Sequence, residues 1–419
     1  EAAACRRKDG GNEMIGDVFP SEMRVITDEK TGNPVVQLTQ KGINFHMYFT
    51  DNAFDLGNDR LYFLSNRANE GEIFNIFELN VKTGEMVQMS DEPGGVTIDG
   101  FTKTPDSQYI GYVANDNEIK VISTAERKVV SLYKDETKVL HNLSFSADKR
   151  RIGFLMDEKA DVLPNGGPNY AGFRDKMYAI KEGRIGSISI DGSGFCQVFR
   201  DTCWLNHFQF SPTDNHLAMF CHEGPWNEVH QRIWMINMET GDVWPVFRQG
   251  PDDCVGHEFW LRNGDIVFDN RRGGHDGTIS VTREQVFAQA EAESEEPPYF
   301  GFAHSDGRVY KQVMMPFYCN HYMGNGDGTL FVGDGVEDIV LIRPAQDGRG
   351  EAEIRTLASH HTTWKYQRSH CHPTFSWDGR KILYAADRDD MHCNLYMVEV
   401  PNLQENDTKR KEQLQINSR

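Results

Sequence analysis

One pattern of apolar and polar positions recurs along most of the chain. An apolar segment with alternate hydrophobic positions is followed by a turn containing Asp or Gly, and then by a second apolar segment. This alternation predicts two strands, and the turn residues tolerate the positive φ angles of tight hairpins. The segments with the pattern are "NAFDLGNDRLYFLS", "FTKTPDSQYIGYVA", "LSFSADKRRIGFLM", "FQFSPTDNHLAMFC", "EFWLRNGDIVFDN", "HYMGNGDGTLFVGD" and "PTFSWDGRKILYAA". The sequence therefore predicts seven β-hairpins.

The spacing of these hairpins predicts their arrangement. Their turns lie near positions 59, 106, 148, 214, 264, 327 and 378. Most are followed by a second hairpin, as in "IFELNVKTGEMVQM" and "IWMINMETGDVWPVF". Four short strands in each period of about 40–50 residues are typical of a propeller blade. We therefore predict an all-β fold, a single seven-bladed β-propeller with loop insertions, whose polar residues meet in one axial funnel.

The two longest intervals and the chain ends depart from the repeat. Residues 157–183 are rich in Gly and Pro and predict a loop over one face, whereas 271–312 contain the main helical pattern, at 282–296. Long insertions of this kind are often lids or binding loops. The predicted domains are a tether or frayed segment at 1–20, the propeller at 21–401 and a polar tail at 402–419.

The first residues bear on location. Ala3, Ala4 and Cys5 resemble the end of a lipoprotein signal, with Cys5 as the lipidated residue; the alternative is a chance "AAAC" in a frayed end. We therefore expect the periplasm or cell envelope, with a lipid anchor at Cys5, and the cytoplasm is the alternative. No apolar run approaches the roughly 20 residues needed to cross a bilayer.

Charge and missing motifs narrow the function. Asp and Glu number 63 against 44 Lys and Arg, a net charge of −19, which repels nucleic acid and anionic lipid. Taken alone, this charge also argues against a polyanionic substrate. Eight cysteines in 419 residues are too sparse for a disulfide scaffold. Their spacing contains no CxxC pair, so a zinc ribbon is not predicted either. The chain also has no serine-hydrolase elbow and no P-loop.

Histidines supply the candidate chemistry. Several of the 15 stand where the inner strand of a blade should begin: His207, His257, His321, His370 and His372. A single histidine there is most often a hydrogen-bonded structural residue. Five at equivalent positions are harder to explain in that way, and they predict a cluster facing the funnel.

The segment "QRSHCHP" is the sharpest local pattern. On a strand, His370 and His372 would point the same way, Gln367 could offer an amide oxygen, and His321 of the preceding blade could add a third imidazole. Three imidazoles and one carbonyl oxygen suit a divalent ion such as Mn²⁺, Ni²⁺ or Zn²⁺. They do not match the all-oxygen ligands that Ca²⁺ prefers.

A second candidate group lies around "FCHEGP". His222 is expected at the funnel mouth, with a local polar pair to Glu223 as the alternative. Arg232 begins a predicted strand among apolar residues, where its burial is costly without an anion. Arg232 is therefore a candidate clamp for a substrate carboxylate, and pairing with an internal carboxylate is the alternative.

Four motifs together resemble one family. "FCHEGP", "HEFW", "GDGTLFVGDG" and "QRSHCHPTFSWDGRKILYAADR" are similar to segments of the oligogalacturonate lyases, polysaccharide lyase family 22. The resemblance covers most of the chain and is strongest over 204–334 and 362–387. It implies a seven-bladed propeller that holds a manganese-type ion. The implied residues are the metal ligands His321, Gln367, His370 and His372, the base His257, the catalytic arginine Arg232, and His207 and His222 near the substrate.

The implied reaction is β-elimination of short oligogalacturonides, the fragments of pectin. A base removes the C5 proton of a uronate, the C4 oxygen leaves, and the product is 4,5-unsaturated. A divalent metal on the uronate carboxylate would offset its charge, and a neutral histidine is a suitable base. The alternatives are a lyase for another uronate-containing glycan, such as ulvan, and a non-enzymatic propeller of the TolB or WD40 kind that binds a partner.

Overall fold

The structure, a computed structural model, describes residues 14–69, 71–160, 172–226, 228–271, 297–345, 352–388 and 392–402. These residues form seven antiparallel sheets of four or five strands, which confirms the predicted seven-bladed propeller. The first strands of several neighbouring blades contact one another, so the first strand of each blade lines the axis.

Blades 2 to 6 are each built from four consecutive strands. Their bounds are Val96–Lys103, Tyr109–Ala114, Glu118–Ser123 and Lys128–Lys134 in blade 2; Lys138–Phe145, Arg151–Glu158, Gly183–Ser189 and Cys196–Asp201 in blade 3; Leu205–Phe210, Leu217–His222, Ile233–Asn237 and Val243–Pro245 in blade 4; Val255–Trp260, Ile266–Asn270, Tyr299–Ala303 and Val309–Met314 in blade 5; and Tyr322–Gly324, Phe331–Asp334, Asp338–Arg343 and Glu353–Ser359 in blade 6.

Blades 1 and 7 share the N-terminal part of the chain. Blade 1 consists of Asn44–His46, Arg60–Ser65, Asn75–Asn80 and Met86–Gln88, with Val18–Phe19 on its outer edge. Blade 7 consists of Thr374–Phe375, Lys381–Ala386 and Asn394–Glu399, completed by Pro34–Gln37 and Arg24–Thr27. Val35 pairs with Val398 across this junction. The ring of blades is therefore closed by strands from opposite ends of the described chain. The edge strand of blade 1, Val18–Phe19, lies within the segment 1–20 that the sequence predicted to be a tether.

The insertions differ in detail from the prediction. The segment 157–183 was expected to be a loop, but it contains the helix Phe173–Ala179, which starts after Gly172 in a left-handed conformation. In 271–312, the strands Tyr299–Ala303 and Val309–Met314 belong to blade 5, so that interval is an insertion only in part. The predicted helix at 282–296, Cys5 and residues 403–419 lie outside the described residues. Among the helices described, none is long and apolar enough to cross a membrane.

The blades pack face to face through apolar side chains, and this packing fixes the positions of the inner strands. Gly153 of blade 3 illustrates the fit, because a Cβ atom at this position would stand only 2.3 Å from the ring of Phe208 in blade 4. Phe208 is buried and adjoins His207. A side chain at position 153 would therefore displace the strand that carries a candidate site residue.

Candidate active site

Irregularities in the inner strands turn histidines towards the axis. The pairing register shifts between Asn206 and Gln209 in blade 4 and between Val255 and Glu258 in blade 5. Such bulges re-aim side chains that strict alternation would send elsewhere. The bulges contain His207, with φ of 53°, and His257. The two rings stack with their centroids 5.8 Å apart, so neighbouring blades present adjacent imidazoles.

Three further histidines form a compact group. His321, His370 and His372 are buried, and one ring nitrogen from each lies within 4.8 Å of the others. The rings of His321 and His372 stack at 3.9 Å. His370 and His372 precede the strand Thr374–Phe375, and His372 has φ of 43°. The two side chains thus converge as predicted, but through an irregular segment and not through strand alternation.

Asp334, at the end of the second strand of blade 6, orients His321. Its carboxylate accepts hydrogen bonds from the His321 backbone N–H at 2.6 Å and from Nδ1 at 2.7 Å. Because a carboxylate only accepts, Nδ1 carries the proton and Nε2 is the nitrogen left to face a metal ion. Fixing the tautomer in this way is what a carboxylate behind a metal-bound histidine does.

The three-histidine group fits a metal ion. Nε2 of His321 and Nδ1 of His372 are buried without a hydrogen-bond partner among the described residues, although buried polar atoms normally have one. Burial, together with the neighbouring His321, holds the pKa values of His370 and His372 well below the ordinary range. Both rings are therefore neutral, the form that binds metal.

Gln367 is the fourth predicted ligand. It begins the 3₁₀ turn Gln367–Ser369, immediately before His370. Its side chain lies outside the described part of the structure, so Gln367 as a ligand stays a prediction.

His257 stands beside this group. Its ring centroid is 4.4 Å from that of His321, and its backbone N–H donates to Asp269. Burial holds the pKa of His257 well below the ordinary range, and the neighbouring His321, His207 and Arg232 lower it further. The ring is therefore neutral and can accept a proton.

His207 lies in a polar chain on the other side of His257. Its Nδ1 donates to Glu258 at 3.0 Å, and its Nε2 accepts from the Tyr48 hydroxyl at 3.2 Å. The Tyr48 ring lies 4.8 Å from that of His372. Phe49 contacts His207 and His257 at 5.0 and 4.9 Å. These aromatic residues from blade 1 pack the rings together.

Arg232 has an internal anion. Nη1 and Nη2 donate to the two oxygens of Glu223 at 2.7 and 3.1 Å, and Nε donates to the carbonyl of Gly256 at 2.6 Å. Burial raises the pKa of Glu223, but the Arg232 charge, the nearby His207 and the hydrogen bonds from Arg232 and Asn206 together outweigh burial and lower that pKa to about 2. The guanidinium thus adjoins the backbone that leads to His257, and its contacts are those of the internal pairing that the sequence left as an alternative.

His222 lies apart from the other histidines. Its Nε2 is 3.3 Å from a carboxylate oxygen of Asp201, and its ring lies 5.3 Å from that of Trp234. The ring contacts that join His207, His257, His321 and His372 do not include it. His222 as a substrate contact stays a prediction.

Carboxylates stand behind the histidines, and the sequence patterns above did not predict them. Asp157, Asp269 and Asp334 stand at or near the ends of second strands, each in contact with a histidine on the inner side of its own blade. The signal was present, because the second segments "RIGFLMDE", "DIVFDN" and "TLFVGD" all finish on an acidic residue at or next to the end. Tyr48 and Phe49 carried no comparable signal, since they lie in an irregular segment after Asn44–His46.

Comparison with known proteins gives consistent matches. A family model described as oligogalacturonate lyase matches residues 15–284. An oligogalacturonate lyase of Dickeya dadantii is 26% identical over 398 residues, covering 90% of this chain and 95% of that protein. An oligogalacturonide lyase of Pectobacterium atrosepticum is 25% identical over 409 residues, covering 92% of this chain and 98% of that protein.

Solved structures agree with the fold. An oligogalacturonate lyase in complex with manganese superimposes with a TM-score of 0.77 at 21% identity, over 93% of this chain and 98% of its own. An oligogalacturonate lyase of Vibrio parahaemolyticus also gives 0.77, at 20% identity, over 93% and 99%. Since the family model spans well over half of the sequence, the chain belongs to the oligogalacturonate lyase family and is an enzyme, a polysaccharide lyase.

Proposed function

We propose that this enzyme cleaves short oligogalacturonides by β-elimination, with a divalent metal ion, Mn²⁺ by preference, in the funnel. The observation that carries the proposal is the buried group of three histidine nitrogens beside the neutral ring of His257. The names of the relatives support the substrate, and the manganese complex of a similar structure supports the metal.

The metal would be held by His321, His370 and His372, with Gln367 as the predicted fourth ligand. When bound, it supplies a positive charge that offsets the uronate carboxylate and so makes the adjacent C5 proton easier to remove. Three imidazoles would leave such an ion open to a substrate oxygen, which a closed structural site would not.

His257 acts as the base. Its neutral ring takes the C5 proton, the electron pair of the C5–H bond forms the C4–C5 double bond, and the bond from C4 to the glycosidic oxygen breaks. The leaving oxygen takes a proton from solvent. No water attacks, so a pair of hydrolytic carboxylates is not needed.

Arg232 and His207 support His257. The positive charge of Arg232 disfavours a second charge on His257 and so helps to keep it neutral. By holding the Gly256 carbonyl, Arg232 also fixes the bulge that aims His257. His207, which the sequence placed near the substrate, packs against His257 and holds the Tyr48 hydroxyl.

Turnover of defined oligosaccharides tests the proposal. The enzyme is incubated with digalacturonate, trigalacturonate and ulvan oligosaccharides, each with Mn²⁺ and with a chelator, and the unsaturated product is followed by its far-ultraviolet absorbance. We expect a rise with the galacturonides that the chelator removes. Absence of product from galacturonides at every pH tested contradicts the proposal, and product from ulvan alone reassigns the substrate.

A further inference from the structure

Next to the proposed base, three side chains from separate segments pack together. The Arg271 guanidinium carbon lies 5.1 Å from the centre of the Tyr318 ring and 6.0 Å from that of Trp226. The two aromatic rings meet edge to face at 6.2 Å. All three residues are partly exposed, so this group borders solvent while the histidines lie deeper.

This group is tied to His257 by hydrogen bonds. The Tyr318 hydroxyl donates to Asp269 at 2.6 Å, and the other oxygen of Asp269 accepts the backbone N–H of His257. Arg271 stands two residues after Asp269, and its N–H donates to the Cys254 carbonyl at 3.0 Å, which extends the pairing of the strand. Residues two apart on extended chain face the same way, so Arg271 follows Asp269 on the side of the base.

Trp226 reaches the group from blade 4. It follows Glu223 by three residues in the loop between Leu217–His222 and Ile233–Asn237, and Glu223 holds the buried Arg232. One internal ion pair therefore anchors both His257, through Gly256, and the start of the loop that carries Trp226.

The chemistry of this group matches a pyranuronate. An aromatic ring offers an apolar wall for the C–H face of a sugar, as Trp and Tyr do where one side of a ligand is apolar. A guanidinium offers a fork of donors for a carboxylate. Burial keeps the pKa of Tyr318 well above its ordinary value, so the phenol stays neutral and does not repel an anion.

We propose that Trp226, Arg271 and Tyr318 form a second uronate subsite, which holds the galacturonate next to the one that is cleaved. The inference rests on the proposed function for the identity of the sugar. The subsite would place the positive charge of Arg271 beside the substrate on a chain of net charge −19. Fragments long enough to fill both positions would then bind more tightly than shorter ones.

A matched arginine serves as control. Arg262 also faces a tryptophan, at 4.3 Å from the Trp377 ring, but it lies in the turn that joins Val255–Trp260 to Ile266–Asn270. It therefore occupies the opposite end of the strand pair from Arg271. The Arg262→Gln substitution removes the same charge from a similar aromatic contact without touching the proposed subsite.

The test compares kinetics on trigalacturonate. We expect Arg271→Gln and Trp226→Ala to raise KM about tenfold or more, as the loss of a charged hydrogen bond or a stacking surface does, with kcat nearly unchanged. Arg271→Lys should recover part of the loss, and Arg262→Gln should behave as the wild type. Wild-type KM in both Arg271→Gln and Trp226→Ala, or an equal rise in Arg262→Gln, overturns the subsite.

A binding measurement separates this inference from the reaction. In the metal-loaded His257→Ala protein, calorimetry with trigalacturonate should give an affinity that adding Arg271→Gln lowers about tenfold. If the wild type cleaves no galacturonide, the proposed function is wrong, but the calorimetry still shows whether Arg271 contributes to binding of trigalacturonate. Equal affinity with and without Arg271→Gln, or no binding to either protein, overturns the subsite.

Discussion

Asp334 binds both the backbone N–H and the ring Nδ1 of His321, at 2.6 and 2.7 Å, so one carboxylate fixes the position and the tautomer of this imidazole. Its Nε2 is left without a hydrogen-bond partner among the described residues, in the compact group with His370 and His372. We expect Asp334→Asn to weaken Mn²⁺ binding about 10- to 100-fold, because the amide can hold the opposite tautomer. Free Mn²⁺ measured by electron paramagnetic resonance gives the affinity.

Blade 3 provides the control for that substitution. Asp157 contacts Nε2 of His141 at 2.9 Å in the same structural position, but His141 is outside the three-histidine group. Asp157→Asn should therefore leave Mn²⁺ affinity unchanged. Equal weakening by the two substitutions would show a general effect on the fold and not on the metal.

His257→Ala tests the base directly. Loss of a positioned base should lower kcat on trigalacturonate by about 10²- to 10⁴-fold, while Mn²⁺ affinity stays close to that of the wild type. His304→Ala is a suitable control, since His304 pairs with Asp265 at a partly exposed position elsewhere in blade 5. Wild-type turnover in His257→Ala would remove His257 from the mechanism.

The Glu223–Arg232 pair predicts how stability depends on pH. The pKa of Glu223 falls from an ordinary 4.5 to about 2 in the folded chain. A lowered folded pKa stabilises the protein above the unfolded pKa, and this contribution is lost as the pH falls from about 4.5 to 2. Glu223→Gln leaves Arg232 buried without its carboxylate, which costs about 3–5 kcal/mol near neutral pH.

Urea unfolding followed by circular dichroism between pH 7 and pH 2 measures that difference. The gap in unfolding free energy between the wild type and Glu223→Gln should be widest above pH 5 and narrow as the pH falls. Asp59→Asn, which breaks the exposed pair with Lys82, should stay within about 1 kcal/mol throughout. A gap that does not vary with pH would mean that ionisation of Glu223 is not its source.

Closure of the ring predicts a further stability effect. Val35 is fully buried in blade 7 and belongs to the same apolar cluster as Val398. Val35→Ala should destabilise the protein by about 2 kcal/mol. Val25→Ala, on the adjacent strand and 67% exposed, should have little effect. Similar denaturation midpoints for the two variants would contradict the observed pairing.

The features that depend on local sequence pattern could be predicted from the sequence. The hairpin repeat and the grouping of His321, His370 and His372 followed from alternation, turn residues and spacing. The closing strand Pro34–Gln37 did not, because a short apolar segment gives no sign of a partner more than 350 residues away. The partner of Arg232 could not be predicted either. The sequence indicated that a buried Arg232 needs an anion, but no feature near it in the sequence identified Glu223 as that anion.

The length of the extra segments was also hard to predict. Residues 299–314 carry ordinary strand patterns of blade 5, but a preceding helical pattern made them look like part of an insertion. The helix Phe173–Ala179 was not predicted, because the Gly and Pro residues around it dominate the composition of 157–183 and indicate a loop.

The pairing of Val35 with Val398 also sets an order of events during synthesis. Blades 2 to 6 can form as each emerges from the ribosome, but the hairpin of Arg24–Thr27 and Pro34–Gln37 has no sheet to join until the last blade has been made. At roughly 5–20 residues per second, the nascent chain carries that open edge for tens of seconds. Unpaired edges of this kind invite association with other chains, so the nascent chain is exposed to aggregation until the ring closes. A circular permutant that places Arg24–Gln37 after Glu399 would end the delay.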